Sequence, residues 1–329
     1  MLSILYLVLE SISVILPILL AVAWMTILER KVLAATQRRV GPNSVGYYGI
    51  LQPFSDALKL IIKETVIPSS SNKVLFYLAP IIAIIVSLLG WCVIPLGQGL
   101  VISDFSMGVL FTLTLSSLGV YGILFAGWSA NSKYAFLGAL RASAAMISYE
   151  LILSSSIIVV ILLAGTFNYT KIIEAQQAIW FIVPLAPVFI LFFIAILAET
   201  SRTPFDLQEA ESELVAGFFT EHSSIIFVFY FLAEYSSIVL FSAVTSILFL
   251  GGYNFPELFI NNTFLNLQAV VLGLKTCAIC FVFIWFRATF PRVRFDQIIV
   301  FCWTALLPVV MAFILLVPCL LIAFDLVAI

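Results

Sequence analysis

Three ionisable side chains stand where a membrane interior would be expected to exclude them. Glu150 falls in the middle of one long apolar run, Glu234 well inside another, and Lys275 inside a third. A charge at mid-bilayer costs at least about 2.5–3.5 kcal/mol on insertion scales, so such groups face a protein interior or a wet cavity. Desolvation favours the neutral form of a carboxyl. An acid in such a place can therefore hold or release a proton, which is what a proton relay requires. The plainer alternative is a structural ion pair, for instance Glu234 with Lys275.

A second acidic group lies at 199–221. Glu199, Asp206, Glu209, Glu211, Glu213 and Glu221 are accompanied there by a single cation, Arg202. Pro204, Phe205, Leu207, Leu214, Val215, Phe218 and Phe219 are interleaved with them. A solvated acidic face has no need of those apolar residues. The pattern suggests a loop folded back over the membrane domain, its acids lining a wet crevice and pushing one another towards the protonated form. Basic residues complement it: Arg30, Arg38 and Arg39 follow the first apolar run, and Arg287, Arg292 and Arg294 follow the seventh. They set topology and contact anionic lipid, or they line a portal or meet acidic partner surfaces.

Other chemistries lack their residues. No phosphate-cradling glycine motif occurs. Cys277 and Cys280 have C-x-x-C spacing without a second pair or a nearby histidine, so no metal site is expected and the cysteines read as buried thiols packing as small hydrophobes. His222 is the only histidine and is expected to be a hydrogen-bonded loop residue. Nucleic-acid binding and disorder are excluded by composition: of 329 residues, 63% are hydrophobic and only 10% charged, against about 25% charged in a soluble domain.

The elements that must position these groups are membrane spans. A helix needs about 20 apolar residues to cross the hydrocarbon core, and eight stretches qualify: 2–28, 74–94, 105–125, 135–164, 178–198, 225–250, 265–286 and 298–324. Of the 15 Lys and Arg residues, all but Lys171 and Lys275 fall in or beside the odd-numbered connections. Positive charge gathers on the cytoplasm-equivalent side, so both termini lie opposite the basic loops. Residues 50–65 carry apolar side chains at helical spacing but are too short to span, and read as an amphipathic interfacial helix between the first and second spans. The expected fold is thus an all-α polytopic membrane protein. It forms a single membrane domain over 1–329, with eight transmembrane helices, the short amphipathic helix at 50–65 and the acidic loop at 199–221.

Four motifs carry a resemblance to a known family. They are Glu29-Arg30-Lys31 with Gln37-Arg38-Arg39-Val40-Gly41-Pro42-Asn43, continuing to Gly49-Ile50-Leu51-Gln52-Pro53 and Asp56-Ala57-Leu58-Lys59; Ile147-Ser148-Tyr149-Glu150; the string ETSRTPFDLQEAESELVAG from Glu199 to Gly217 with Ala233-Glu234-Tyr235; and Trp285-Phe286-Arg287-Ala288 with Pro291-Arg292 and Arg294-Phe295-Asp296-Gln297. Over essentially its whole length the chain resembles the chain 1 family of NADH:ubiquinone oxidoreductase, a membrane component of respiratory complex I found in mitochondria and in bacteria. It departs from that family at Ser201, where Asn is frequent, at Gln208, where Pro is common, and at His222, where an aromatic such as Tyr is usual.

The resemblance implies a specific role. The subunit would join the membrane arm to the peripheral arm, form most of the tunnel by which ubiquinone arrives from the membrane, and carry the first stretch of the proton-coupling path. Trp24, Arg30, Arg39, Phe54, Arg202, Phe205, Asp206, Phe231 and Arg287 would belong to the tunnel. Glu150, Glu199, Asp206, Glu209, Glu211, Glu213, Glu221 and Glu234 would be the coupling acids, with Arg38, Lys275, Arg292 and Arg294 in supporting places. Ubiquinone would be the substrate. NADH, FMN and the iron–sulfur clusters would sit on partner subunits, so the chain would be part of an H+-translocating NADH:ubiquinone reductase without a redox centre of its own. Its partners would be the quinone-site peripheral-arm subunits, adjacent small membrane-arm subunits and lipids such as cardiolipin. Its place would be the mitochondrial inner membrane with the basic loops facing the matrix, or the plasma membrane if the chain is bacterial. Two rival readings are a stand-alone proton- or ion-coupled transporter and the membrane subunit of a related energy-converting hydrogenase.

Overall fold

The apolar runs are helical, and several of their ends follow from the sequence. The computed structural model describes residues 2–206, 208, 217–255 and 267–324. Helix α1 (Leu2–Thr36) has 35 residues. At about 1.5 Å per residue it far exceeds the ~30 Å hydrocarbon core. It passes the expected end at residue 28 because Glu29, Arg30, Lys31, Leu33 and Ala34 are strong helix formers, so its last turns carry charge beyond the apolar segment. Helix α2 (Gln52–Ile62) follows, with Pro53 in its first turn and no buried residue. Pro suits that position because the first turn leaves its N–H unbonded anyway.

Helices α3 (Lys73–Leu89) and α4 (Gly108–Ala130) precede α5 (Lys133–Ala164). At one end of α5 the Ser132 side chain accepts from the Ala135 N–H, and at the other Gly165 adopts φ 69°, the left-handed stop that glycine supplies without strain. The α4–α5 hairpin is tight: a Cβ on Gly127 would lie 2.3 Å from the Ala139 Cβ. Helix α5 is among the most deeply packed elements, with Tyr149, Ile152, Leu153 and Ile157 buried.

After a short helix α6 (Tyr169–Ala175) comes α7 (Ala186–Glu199). The span expected at 178–198 is helical only from Ala186 onward. Pro184 lacks an N–H and disfavours helix at the residue before it, while Pro187 sits in the first turn of α7. The remaining α-helices among the described residues are α8 (Ser224–Phe249), α9 (Gln268–Thr289), α10 (Phe295–Phe301) and α11 (Leu307–Ala323). Between α10 and α11 lies a π-helical turn, Cys302–Leu306. Pro308, in the first turn of α11, cannot return the N–H that the Thr304 carbonyl would otherwise accept.

Among the described residues there is no strand, and seven helical segments are long and apolar enough to cross a membrane by length and composition. Ala186–Glu199 is a shorter apolar helix beside them. The main core gathers apolar side chains of α1, α5, α7, α8 and α9. A second core joins α3, α4 and α5 to the 3-10 segment Gly217–Glu221.

Two expectations change at the side-chain level. Cys277 and Cys319 are exposed, so only Cys280 and Cys302 are fully buried thiols. His222 is buried, and neither ring nitrogen makes a hydrogen bond of good geometry. Its ring packs on Phe76 at 4.4 Å instead.

Candidate functional site

The chain turns just after α7, and that turn buries an arginine. Ser201 takes φ 50° and the Thr203–Pro204 peptide is cis. The Arg202 N–H returns to the Leu197 carbonyl at 3.0 Å. The Arg202 side chain is only 7% exposed and lies between two carboxylates, with Glu29 of α1 at 3.4 Å and Glu234 of α8 at 3.1 Å. Its guanidinium also stands over the Tyr235 ring at 4.5 Å. Burial opposes its charge, but Glu234, Tyr235 and Glu29 together hold its pKa above the usual arginine value. Nε and Nη2 of Arg202 make no directed hydrogen bond, so the contact with Glu234 is one of charge more than of aimed donors.

Glu29 is the other centre of the cluster. It is 4% exposed and accepts from Arg287 of α9 and from the Tyr235 hydroxyl as well as from Arg202. Four elements, α1, α8, α9 and the turn after α7, therefore meet on one knot of alternating charge. A buried ion pair holds only where further donors satisfy the carboxylates, and here Tyr235 and Arg287 supply them.

Glu234 has a second surface. It lines a cavity of about 120 Å³ together with Glu199, Thr200, Ser201, Gln208 and Ser237. Met146, Thr112, Ser116 and Ser87 also line it, and the rest of the wall is mostly apolar, with Val86, Leu115, Ile123, Phe218, Leu240 and Phe241. The volume suits a few waters. Glu199 is 5% exposed, and its Oε2 makes no hydrogen bond. Glu150 lies one residue past Tyr149 on α5, half-buried and close enough to Glu199 for the two charges to interact. Glu234 and Glu199 thus share one largely apolar cavity, and Glu150 stands beside Glu199 outside it.

The rest of the loop start is strapped to α5 and to the segment before α10. Phe205 packs on Tyr149 at 5.3 Å, the Val293 N–H donates to the Pro204 carbonyl at 3.0 Å, and Arg292 pairs with buried Asp206 at 3.0 Å. Tyr149 in turn donates to the Ile298 carbonyl at 3.3 Å. Gly217 sits against Gly138 of α5, where a Cβ on Gly138 would lie 2.8 Å from the Gly217 Cα.

The other expected tunnel residues lie around α1, α2 and α8. Trp24 is exposed on α1, and Phe54 is exposed on α2. Arg30 pairs with Asp56 of α2 at 2.7 Å on the surface. Phe231 packs on Tyr235 at 4.5 Å, one contact away from Glu29. Arg39 is exposed and bonds only locally, to Gln37 at 2.7 Å. Arg38 and Arg294 are also exposed, apart from the knot. Glu221 is half-buried at the end of the 3-10 segment. Glu209, Glu211 and Glu213 lie outside the described residues.

Lys275 does not pair with Glu234. Its ammonium donates to the carbonyls of Leu250, Gly252 and Asn254, each at 2.7 Å, with the Trp180 ring 4.8 Å away. It ties down the chain leaving α8, where helix-end carbonyls attract a cation.

Sequence reasoning missed Glu29 and Tyr235. Glu29 stands in the run Glu29-Arg30-Lys31, which reads as the charged edge of a loop, and only its place on a helix that continues to Thr36 turns it inward. Among the described residues no group of three or more His, Cys, Asp and Glu side chains could hold a metal ion.

A family profile described as NADH dehydrogenase matches residues 9–318. The chain is 65% identical over 327 residues to NADH-ubiquinone oxidoreductase chain 1 of Mycosarcoma maydis, covering 99% of each chain. It is 53% identical to the protein of the same name in Podospora anserina, covering 98% of this chain and 97% of that one. With a bacterial relative, an NADH-quinone oxidoreductase subunit of Rhodospirillum centenum, the identity is 48%, over 96% of this chain and 94% of the bacterial one.

Proposed function

The chain belongs to the NADH dehydrogenase family, and on that premise we propose that it is a core membrane subunit of a proton-pumping NADH:ubiquinone oxidoreductase in the mitochondrial inner membrane. The names of its relatives support the complex, and fungal relatives at 65% and 53% identity support the compartment. In this reading the chain is one membrane domain with eight crossings, Ala186–Glu199 being the short one. The basic loops face the matrix, and α2 lies in the interface on that side. Peripheral-arm subunits dock over those loops, small membrane-arm subunits and lipids such as cardiolipin cover the apolar faces, and no nucleic acid is involved.

Ubiquinone reaches its reduction site past α1, α2, α8 and α9, along Trp24, Arg30, Phe54, Phe231 and Arg287, with Phe205 and Asp206 shaping the inner end. The chain's five cysteines are dispersed over its helices, a donor set that does not fit an iron–sulfur cluster. The redox groups, FMN, the clusters and the NADH site, therefore fall to partner subunits. This chain supplies the walls of the quinone path and the charge response to reduction.

The observation that carries the proposal is the position of Arg202. One guanidinium touches both Glu29 and Glu234; in this reading Glu29 faces the quinone path and Glu234 the cavity. A charge change near Arg287 and Glu29 alters the field at Arg202, and through it the proton affinity of Glu234. Glu199 and Glu150 continue the path inward, and the acids of the 199–221 loop sense or deliver charge at its start. Purification in mild detergent tests the assignment. Co-purification with flavin- and iron–sulfur-bearing subunits and NADH:ubiquinone reductase activity is expected. A monomer with transport activity of its own, or co-purification with nickel–iron hydrogenase subunits, would overturn it.

A further inference from the structure

Ser201 and Gln208, seven residues apart around the turn after α7, meet in space. Gln208 Nε2 donates to Ser201 Oγ at 2.7 Å, with both residues buried. Met146 Sδ is a second, longer partner of the same amide at 3.8 Å. The Gln208 backbone is held as well: a Cβ on Gly217, at φ 55°, would lie 2.2 Å from the Gln208 carbonyl oxygen, so only glycine fits there.

Ser201 itself holds φ 50°, a left-handed conformation in which Asn is far more at ease than Ser. Its hydroxyl is held by the Gln208 amide. A hydroxyl has one proton to give and two lone pairs. The bond from Gln208 occupies a lone pair and leaves the proton free. The neighbouring Thr200 hydroxyl is committed to the Ile196 carbonyl at 2.9 Å. Thr200 and Ser201 are both among the residues lining the cavity that contains Glu199 and Glu234, and Glu199 Oε2 has no hydrogen-bond partner.

We propose that Gln208 is a positioning residue: by donating to Ser201 Oγ it orients the Ser201 hydroxyl as a hydrogen-bond donor towards the Glu199–Glu234 cavity. This rests on the proposed role of those acids in proton coupling. It adds a named hydroxyl and the amide that sets its direction.

A double-mutant cycle in the assembled complex tests it. Gln208→Leu and Ser201→Ala should each lower coupled NADH:ubiquinone turnover and the protons moved per electron, by about two- to tenfold, the range one net hydrogen bond supplies. The double variant should be no worse than the poorer single. Ser201→Asn keeps an acceptor for Gln208 and a donor for the cavity and suits φ 50°, so it should retain wild-type turnover. Subunit content and thermal midpoint, measured in parallel, separate a fold defect from a positioning defect. Either single variant at wild-type turnover, a multiplicative double, or losses that track the thermal midpoint alone would overturn the proposal. If Glu234→Gln pumps normally, the acid path fails and this inference fails with it. If Glu234→Gln loses pumping while Gln208→Leu keeps it, only this inference fails.

Discussion

Replacing Arg202 with methionine removes a cation that touches both Glu29 and Glu234. In the native knot Arg202 and Arg287 balance Glu29 and Glu234. Without Arg202, Glu29 keeps Arg287 and Tyr235, whereas Glu234 loses a guanidinium at 3.1 Å. Removing one partner of a buried pair destabilises by about 3–5 kcal/mol, because the remaining charge is left without compensation. The 7% exposure of the Arg202 side chain puts this site in the buried regime. Arg202→Met should therefore sharply lower the yield and thermal midpoint of the assembled complex. The double variant Arg202→Met with Glu234→Gln removes the carboxylate charge along with the cation and should recover most of that loss. It should still fail to couple, because the link from quinone side to cavity is gone. The assays are the amount of intact complex per membrane, its thermal midpoint and proton translocation in vesicles. A single variant within about 1 kcal/mol of wild type would refute the burial argument. A double variant that pumps normally would refute the coupling role.

Other perturbations read different parts of the account. Glu150→Gln should lower coupled turnover while NADH oxidation by artificial hydrophilic acceptors stays unchanged; normal pumping would remove Glu150 from the path. Arg287→Ala should impair quinone reduction or shift inhibitor sensitivity more than Arg30→Ala does. Arg287 supports buried Glu29, whereas Arg30 makes an exposed pair with Asp56, worth at most about 1 kcal/mol; equal effects would contradict this ranking. His222 carries a pH dependence. Burial holds its pKa down at about 4, against a weaker upward pull from the Ala126 backbone, while an unfolded histidine titrates near 6.5. Between those values the unfolded state binds the extra proton, so stability falls as pH drops from about 6.5 to 4, by roughly 3 kcal/mol in all. His222→Phe should flatten that slope in thermal-inactivation curves of the complex, and an unchanged slope would assign it to other groups. Lys275→Met strands three carbonyls and should lower the thermal midpoint, at about 1–3 kcal/mol for each buried acceptor left unbonded, with little change in turnover per intact complex. A selective loss of turnover would give Lys275 a direct role.

Much of the architecture was legible because apolar runs bounded by charge have few alternatives in a membrane. The limits of that reading are instructive. The run 178–198 is uniformly apolar, yet Pro184 and Pro187 confine its helix to Ala186–Glu199; composition reports the burial of a segment, and proline geometry decides its shape. Glu234 and Lys275 were readable as costly charges, but their partners were not. Glu234 meets Arg202 from the turn after α7, and Lys275 meets backbone carbonyls, which leave no mark in a sequence. Glu29 was hidden by its neighbours Arg30 and Lys31, and its inward face follows only from the continuation of α1 to Thr36. The bond between Ser201 and Gln208 was likewise invisible, because the turn that brings them together depends on the backbone at Ser201 and Gly217.

The central claim is that Glu234 carries the charge response of the Arg202 knot into the cavity. Protons translocated per electron by the intact complex carrying Glu234→Gln measure it most directly. The account predicts a marked loss of pumping with NADH oxidation by artificial acceptors unchanged. A wild-type ratio of protons to electrons would contradict it.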